Sequence, residues 1–292
     1  MSTIQLYVLI LIYNLGIVSP KQDKPQAACI DCHKALIEQK EVHPVAEGCD
    51  NCHVSSGTEH PKSGVKGFNL TESMPGICFN CHEDLKNSVQ ATGNKVHGAI
   101  NGKKSCVTCH SPHSSAQPKL LVQDEKNLCF SCHNKEINSD SNKIGNIKQI
   151  FDNSKYTHGA LEAGGCSACH NPHASKNSYL LKGSFPKGMY SSGKAENFAV
   201  CFTCHDSQMI KDSVSNKATQ FRNADKNLHF IHINGPKGRS CSVCHNVHAA
   251  GNAHLINEFV KFGKWELPIR YSEVEGGGSC FPGCHGEKKY IR

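Results

Sequence analysis

Hydrophobic residues are sparse along most of this chain, and they follow neither a long helical repeat nor a long strand repeat. Two stretches, before His158 and before His229, place apolar residues on one helical face and predict short packing helices. They contain Ile144, Ile147, Ile150 and Phe151 in the first stretch and Ile210, Val214, Ala218 and Phe221 in the second. Residues 259–271 alternate weakly around Gly263 and are compatible with a hairpin that carries the only tryptophan, Trp265. We expect the rest to be irregular loop.

The N-terminal residues 4–18, IQLYVLILIYNLGIV, form a 15-residue apolar run. This run is short for a membrane-spanning helix and suits the hydrophobic part of a signal peptide. We therefore predict an export segment over residues 1–19 and no stable membrane span. No Lys or Arg precedes the run and no clean small-x-small cleavage site follows it, so a retained anchor is the alternative.

The composition indicates that side chains alone cannot build a large core. The 292 residues are 38% hydrophobic, a figure that includes 18 cysteines, and only 7% aromatic. Such a chain has too little apolar side-chain volume for its length, so another component must supply the interior. The formal net charge is +7, but no run of like charges marks a nucleic-acid surface, and we expect no nucleic-acid partner.

The cysteines fall into nine pairs, and a histidine follows each pair directly. The ninth motif, with Cys280, Cys284 and His285, is one residue longer than the others. The other eight are CxxCH motifs: Cys29 and Cys32 with His33, Cys49 and Cys52 with His53, Cys78 and Cys81 with His82, Cys106 and Cys109 with His110, Cys129 and Cys132 with His133, Cys166 and Cys169 with His170, Cys201 and Cys204 with His205, and Cys241 and Cys244 with His245. Chance would give about 0.07 CxxCH motifs in a chain of this composition.

Three kinds of chemistry compete for these cysteines. A disulfide framework explains an even number of cysteines but not the histidine after each pair. Zinc sites use CxxC pairs, yet zinc does not require a histidine at the next position. Covalent c-type haem attachment requires both features, because two thiols bind the haem vinyl groups and the adjacent imidazole ligates the iron. We predict nine c-type haems, with the longer ninth motif as a rarer variant.

Nine haems would supply the missing apolar interior, with the polypeptide as a thin wrapping around the porphyrins. Their propionates would also change the charge, from the formal +7 to about −2 with ferric irons and about −11 with ferrous irons. The basic residues therefore compensate propionates and are weak evidence for an acidic partner.

Each haem iron needs a second axial ligand, and histidine is the residue present in sufficient number. Apart from the initiator there are only three methionines, Met74, Met189 and Met209. Ten histidines lie outside the motifs: His43, His60, His97, His113, His158, His173, His229, His232, His248 and His254. We therefore expect bis-histidine haems of low potential throughout, with one histidine to spare.

Three motifs carry another histidine three residues after the motif histidine. These pairs are His110 and His113, His170 and His173, and His245 and His248. Residues three apart span at most about 10 Å, too little for the second imidazole to pass round the porphyrin edge to the opposite face. We expect the second imidazole to ligate a different haem and so to hold two haems close together.

The chain also repeats internally. Each unit has a leading histidine, a first motif, a trailing histidine, a Leu-rich stretch and a second motif that begins Cys-Phe. We predict a single-haem segment at 20–42 and four haem-pair repeats, called units 1 to 4, at 43–96, 97–157, 158–228 and 229–292. The leading histidines are His43, His97, His158 and His232, and the trailing ones are His60, His113, His173 and His248. His229 and His254 then compete for the ninth haem.

These motifs and segments resemble multihaem c-type cytochromes with doubled CxxCH motifs, which are typical of metal-reducing bacteria and some archaea. The resemblance covers nearly all of residues 29–285. It implies a mostly irregular, elongated fold with short α-helices and little β-structure around a chain of haems. Some members of the family polymerise into extracellular filaments, and self-association into a filament is expected here.

The expected function is electron transfer by hopping between haems, with redox proteins or extracellular electron acceptors as partners and no catalytic residue. Covalent haem attachment takes place on the exported side of the membrane, so the location is periplasmic or extracellular. One alternative is a multihaem reductase for nitrite, hydroxylamine or a sulfur oxyanion, which needs one iron with an open position. A structural zinc-binding scaffold is the other.

Overall fold

Secondary structure comes in short pieces throughout the described part of the chain. The structure, a computed structural model, describes residues 29–139 and 142–292, so the predicted export segment lies outside it. Within these residues the longest helix has eight residues and no strand exceeds four. No helix among them is long and apolar enough to cross a membrane. A mostly irregular chain with short helices is thus confirmed, and its small strands are more numerous than the sequence suggested.

The described residues form eight α-helices, eleven 3₁₀ turns and seventeen strands. The α-helices are α1 (Cys29–His33), α2 (Gly76–Phe79), α3 (Glu83–Gln90), α4 (Glu125–Phe130), α5 (Ile147–Asp152), α6 (Gly159–Gly164), α7 (Leu228–Asn234) and α8 (Cys241–Cys244). The 3₁₀ turns are Lys34–Ile37, Cys49–Asn51, Gly98–Asn101, Ser105–Thr108, Pro118–Leu120, Cys166–Ala168, Ser178–Leu180, Ala195–Phe198, Cys201–Thr203, Ser207–Ile210 and Ala253–Leu255. The strands are β1 (Glu41–Val42), β2 (His53–Ser55), β3 (Phe68–Leu70), β4 (Lys95–Val96), β5 (Ser114–Ser115), β6 (Ile137–Ser139), β7 (Asn142–Ile144), β8 (Tyr156–Thr157), β9 (Ala174–Ser175), β10 (Arg222–Asn223), β11 (Lys226–Asn227), β12 (Ala249–Ala250), β13 (Phe259–Phe262), β14 (Trp265–Pro268), β15 (Ser272–Val274), β16 (Gly277–Cys280) and β17 (Lys288–Ile291).

Three of the two-stranded antiparallel ladders are copies of one arrangement. Each joins the two residues before a leading histidine to the two residues after the trailing histidine of the next unit. The ladders are β1 with β5, β4 with β9, and β8 with β12. In each, the leading histidine also donates its backbone N–H to the carbonyl of the trailing histidine, at 2.8 Å for His43 and His113 and 2.9 Å for the other two. Short ladders therefore connect consecutive segments of the chain.

The hairpin in the C-terminal segment is confirmed. Strands β13 and β14 pair antiparallel, and Phe262 lies opposite Trp265 across the turn. Gly263 has φ +59° in that turn, a conformation that glycine adopts without the penalty of a Cβ. The exposed tip of the hairpin carries Trp265.

Only one of the two predicted packing helices forms. Helix α5 begins at Ile147 and includes Ile150 and Phe151. The prediction of a helix over 210–221 was wrong, because the backbone there forms hydrogen bonds with another segment. Ser215 donates its N–H to the carbonyl of Asp225 at 2.7 Å. Val214 forms an isolated β-bridge with Lys226 and is exposed, whereas Ile210 is buried.

A small side-chain core lies where units 3 and 4 meet. Phe198, Ile210 and Ile233 form it and are almost fully buried. Beside it the buried Asn227 donates from Nδ2 to the carbonyls of Met209 (2.9 Å) and Asp212 (2.8 Å). Its Oδ1 accepts from the backbone N–H of residue 230 at 3.2 Å and caps helix α7. Asn227 thereby fixes the helix that carries His229 and His232.

Replacing Asn227 by Asp should destabilise this region. The substitution removes both Nδ2 hydrogen bonds and places a carboxylate oxygen against two carbonyls, which we expect to cost about 3 kcal/mol. A denaturant titration of the purified protein followed by circular dichroism should show a lower midpoint. Asn87→Asp, on the exposed surface of α3, is the control and should leave the midpoint unchanged. Equal midpoints for the two variants would contradict the role given to Asn227.

Candidate haem-binding sites

Most of the Cys-His motifs form a tight turn. The nine motifs are numbered sites 1 to 9 in chain order, from Cys29–His33 at site 1 to Cys280–His285 at site 9. In sites 3 to 8 the N–H of the motif histidine donates to the carbonyl of the first cysteine, at 2.9 to 3.1 Å. Residues four apart in such a turn share one side, so the first thiol and the imidazole point the same way. None of the eighteen cysteines, from residue 29 to residue 284, is paired in a disulfide.

The second cysteine of each motif is covered to a different extent at alternate sites. At the odd-numbered sites it is exposed, and these residues are Cys32, Cys81, Cys132, Cys204 and Cys284. At the even-numbered sites it is half-buried, and these residues are Cys52, Cys109, Cys169 and Cys244. The eight CxxCH motifs share one sequence pattern, which does not distinguish these two groups. The structure instead leaves the second thiol open to solvent at site 1 and at the second site of every unit.

Every motif histidine faces one histidine from outside the motifs. The nine ring pairs have centroids 5.9 to 6.4 Å apart. In site order they are His33–His60, His53–His113, His82–His43, His110–His173, His133–His97, His170–His248, His205–His158, His245–His229 and His285–His232.

This spacing fits an iron between two imidazoles. A metal–nitrogen bond is about 2 Å and a ring centroid lies roughly 1 Å beyond its nitrogen, so two rings on opposite sides of one metal have centroids about 6 Å apart. Direct stacking of imidazoles would bring the planes much closer. Among the described residues, no three His, Cys, Asp or Glu side chains converge as they would around a zinc ion.

The facing histidines follow one rule along the chain. Each leading histidine faces the second motif of its own unit, as His97 faces His133. Each trailing histidine faces the first motif of the preceding segment, as His173 faces His110 and His60 faces His33 at site 1. The two histidines of each CHxxH segment therefore lie in different ring pairs.

At site 8 the facing ring comes from within unit 4 and is not a trailing histidine. The ring of His229 faces His245 there, and its Nδ1 lies 2.7 Å from the Thr219 hydroxyl. His254 lies elsewhere: its Nε2 is 3.2 Å from a carboxylate oxygen of Glu273. The backbone carbonyl of His254, however, lies 2.8 Å from Nδ1 of His245. Of the two histidines left open by the sequence, the structure brings His229 to the motif imidazole.

Burial keeps several of these imidazoles neutral. Burial and the facing ring of His245 lower the pKa of His229 to about 4. Burial and the ring of His170 lower the pKa of His248 to about 4 in the same way. A neutral imidazole has the lone pair that a metal requires, so these rings are in the ligating form at neutral pH.

The thiols show how the sites are ordered in space. Burial, with the thiols of Cys106 and Cys52 nearby, raises the pKa of Cys78 to about 12. A hydrogen bond to the Cys166 thiol, together with burial, raises the pKa of Cys129. At each step from one site to the next, a thiol of one site lies near a thiol of the other. The neighbouring thiols are those of Cys29 and Cys49, Cys52 and Cys78, Cys78 and Cys106, Cys109 and Cys132, Cys129 and Cys166, Cys169 and Cys201, Cys201 and Cys241, and Cys244 and Cys280. The sites therefore follow one another in space as they do in sequence.

Four of the exposed second cysteines are outside this series of thiol pairs: Cys32, Cys81, Cys204 and Cys284, the last of which lies near Cys244 together with Cys280. The thiol of Cys204 lies near Cys169 together with that of Cys201, so it adds a second contact between sites 6 and 7. Cys32 and Cys81 are exposed members of sites 1 and 3, and those sites meet their neighbours through Cys29 and Cys78 instead. The sequence predicted the same role for all eighteen cysteines, whereas the structure uses only some of them to bring sites together.

Some residues that shape the sites were missed by reasoning from the sequence. The carboxylate of Glu125, on helix α4 of site 5, accepts from the backbone N–H (2.6 Å) and hydroxyl (3.0 Å) of Ser167 in site 6. Thr219 at His229 is a second example. Nothing in the local sequence marks either residue. By contrast, Lys119, Tyr179 and His254 each precede the Leu-rich doublet of units 2, 3 and 4, and this repeated position is visible in the sequence.

Comparisons with known proteins find a family and related proteins for this chain. The family described as "Doubled CXXCH motif" matches residues 43–87, 97–138 and 158–210. The multiheme cytochrome MtrA of Shewanella baltica is 30% identical over 186 residues, which cover 56% of this chain and 51% of that protein. The cytochrome c-type protein NrfB of Escherichia coli is 29% identical over 135 residues, covering 39% of this chain and 68% of that protein. The match to the Shewanella protein thus spans about half of its length.

The family matches fall on units 1 to 3, and both relatives are named as cytochromes. The paired imidazoles supply the geometry that a c-type haem requires. The chain is a multihaem c-type cytochrome with doubled CxxCH motifs.

Proposed function

We propose that this protein is an electron carrier that holds nine c-type haems in a single series. Each haem iron, when bound, accepts and releases one electron, and the chain's own residues fix the positions and ligands of the irons. The observation that carries the proposal is the set of nine ring pairs, each with one motif histidine and one other histidine.

The proposed ligands follow from those pairs. The eighteen cysteines form the thioether links, including Cys32, Cys81 and Cys204, whose thiols the polypeptide leaves exposed. The motif histidines are the proximal ligands. His60, His113, His43, His173, His97, His248, His158, His229 and His232 are the distal ligands of sites 1 to 9 in that order. His254 contributes its carbonyl at site 8 and is not a ligand.

The pairing favours a carrier over a reductase. A reductase needs one iron with an open position, whereas each of the nine motif imidazoles here has a second imidazole opposite it. The series of neighbouring thiols supports a path from site 1 to site 9. Redox proteins or extracellular acceptors would exchange electrons at the two ends.

We further propose that the four haem-pair units and the front segment at 20–42 are the structural repeats of the protein. The three equivalent ladders support this, because each links one unit's first residues to the next segment. Covalent haem attachment would place the mature protein on the exported side of the membrane, in the periplasm or outside the cell.

The number of haems can be tested by mass spectrometry of native material. Nine covalent haems should add about 5.5 kDa to the polypeptide mass. The double variant Cys280→Ala/Cys284→Ala removes both thiols of site 9, the site with the longer motif. It should therefore lower the added mass by one haem. A native mass with eight haems or fewer would contradict the count of nine.

Replacing Gly67 by Ala should disturb site 1 selectively. A Cβ on Gly67 would lie 2.7 Å from both Cβ and Nδ1 of His60, too close for any real contact, so the ring must move away from His33. The ferric protein should then show a high-spin electron paramagnetic resonance signal from about one haem in nine, with the low-spin signal reduced to match. Gly145→Ala is the control, because nothing lies within 4 Å of its added Cβ. A fully low-spin spectrum of the Gly67 variant would refute His60 as a ligand.

We also propose that the protein self-associates into a filament. End-to-end stacking would continue the series from site 9 of one copy to site 1 of the next. His229 faces site 8 from within the same chain, so such a filament would form without a ligand shared between copies. Negative-stain microscopy of the purified protein should show filaments, and uniformly monomeric particles would rule them out.

A further inference from the structure

The motif histidines of sites 4, 6 and 8 make the same contact with a backbone carbonyl. In each, Nδ1 faces the backbone carbonyl of the residue nine positions later. The distances are 2.9 Å from His110 to Lys119, 2.7 Å from His170 to Tyr179 and 2.8 Å from His245 to His254. With Nε2 on the iron, Nδ1 carries a proton and donates it to the carbonyl.

A left-handed turn brings the carbonyl to this position. Lys119, Tyr179 and His254 have φ of +59°, +56° and +55°, and the leucine after each has φ +56°. None of these residues is glycine, so each turn holds two side chains in a sparsely populated conformation. The turn is anchored on the motif itself, because the residue after the motif histidine donates its N–H to the carbonyl of that leucine at 2.7 to 2.8 Å.

Sites 5 and 7 differ from sites 4, 6 and 8. Nδ1 of His133 at site 5 is buried and has no hydrogen-bond partner among the described residues. The facing rings of these two sites meet an N–H group instead of a carbonyl. The N–H of Ala99 points at Nδ1 of His97 (3.3 Å), and that of Ala160 points at Nδ1 of His158 (3.2 Å).

We propose that the carbonyls of Lys119, Tyr179 and His254 lower the midpoint potentials of sites 4, 6 and 8 below those of sites 5 and 7. A carbonyl that accepts the Nδ1 proton makes the ligating nitrogen more basic, and a more basic ligand stabilises ferric iron. At sites 5 and 7 the backbone group beside Nδ1 of the facing ring is an N–H, which cannot accept the Nδ1 proton, so this gain in basicity is absent there. Because sites follow one another in chain order, low and high potentials would alternate from site 4 to site 8. This inference rests on the proposed electron-carrier function.

The turn at Tyr179 offers a matched pair of variants. Tyr179→Val places a β-branched residue at positive φ, which disfavours the turn and withdraws the carbonyl from His170. Tyr179→Gly favours positive φ and keeps the carbonyl in place. The Tyr179 side chain is 45% exposed, so its loss alone removes little packing. Lys119→Val and Lys119→Gly form the same pair at site 4, in case the first Val variant fails to fold.

Spectroelectrochemical titration of the holoprotein measures the effect. In each Val variant, about one-ninth of the haem absorbance change should move to higher potential, and in each Gly variant the curve should match that of the wild type. An unchanged curve in a Val variant, or the same shift in both members of a pair, would overturn the inference. Haem mass and low-spin spectra are measured on the same samples. A full haem complement with an unshifted curve refutes only the inference, whereas missing haem or an open site refutes the proposed function.

Discussion

The structure depends on one requirement: each motif imidazole needs a second imidazole opposite it, about 6 Å away between ring centres. The motif fixes one ring through covalent spacing, but the other ring must come from a distant part of the chain. Nine such requirements leave little freedom for the path of the backbone. The small side-chain core of Phe198, Ile210 and Ile233 serves only one region, so the ring pairs and short ladders organise the rest.

The direction of these contacts gives the chain its linear order. Leading histidines stay within their unit, while trailing histidines reach one unit back, so each unit is tied to its predecessor by a ring pair and a two-residue ladder. The rule does not hold at site 8, whose facing ring comes from its own unit. There helix α7 supplies His229, held by Thr219 and by the cap of Asn227, and the same helix supplies His232 for site 9.

Features that depend on residues close together in sequence could be predicted, whereas features that depend on the path of the chain in space could not. The motifs, the hairpin at Gly263 and helix α5 are local, and their residues carry the necessary pattern. The helix over 210–221 has an apolar stripe, yet serines and asparagines offered the backbone other hydrogen bonds and the stripe was split between core and surface. Choosing between His229 and His254 was beyond the sequence because both are the same residue type near the same motif. The alternating exposure of the second cysteines was beyond it for a similar reason, since eight motifs share one pattern and differ only in what packs over them.

The residue before the leucine doublet places its backbone carbonyl in the same way in three units, although its side chain differs. Lys, Tyr and His occupy this position in units 2, 3 and 4, so a comparison of side chains finds nothing in common. What is common is a backbone carbonyl, set by a left-handed turn and by the leucine that follows it. The first motif of each of these units is followed by the trailing histidine and then this turn, whereas the second motif of units 2 and 3 is followed by the next unit. Two unlike environments for the motif imidazole therefore arise from the order of segments within a unit, and repetition of the unit makes them alternate along the chain.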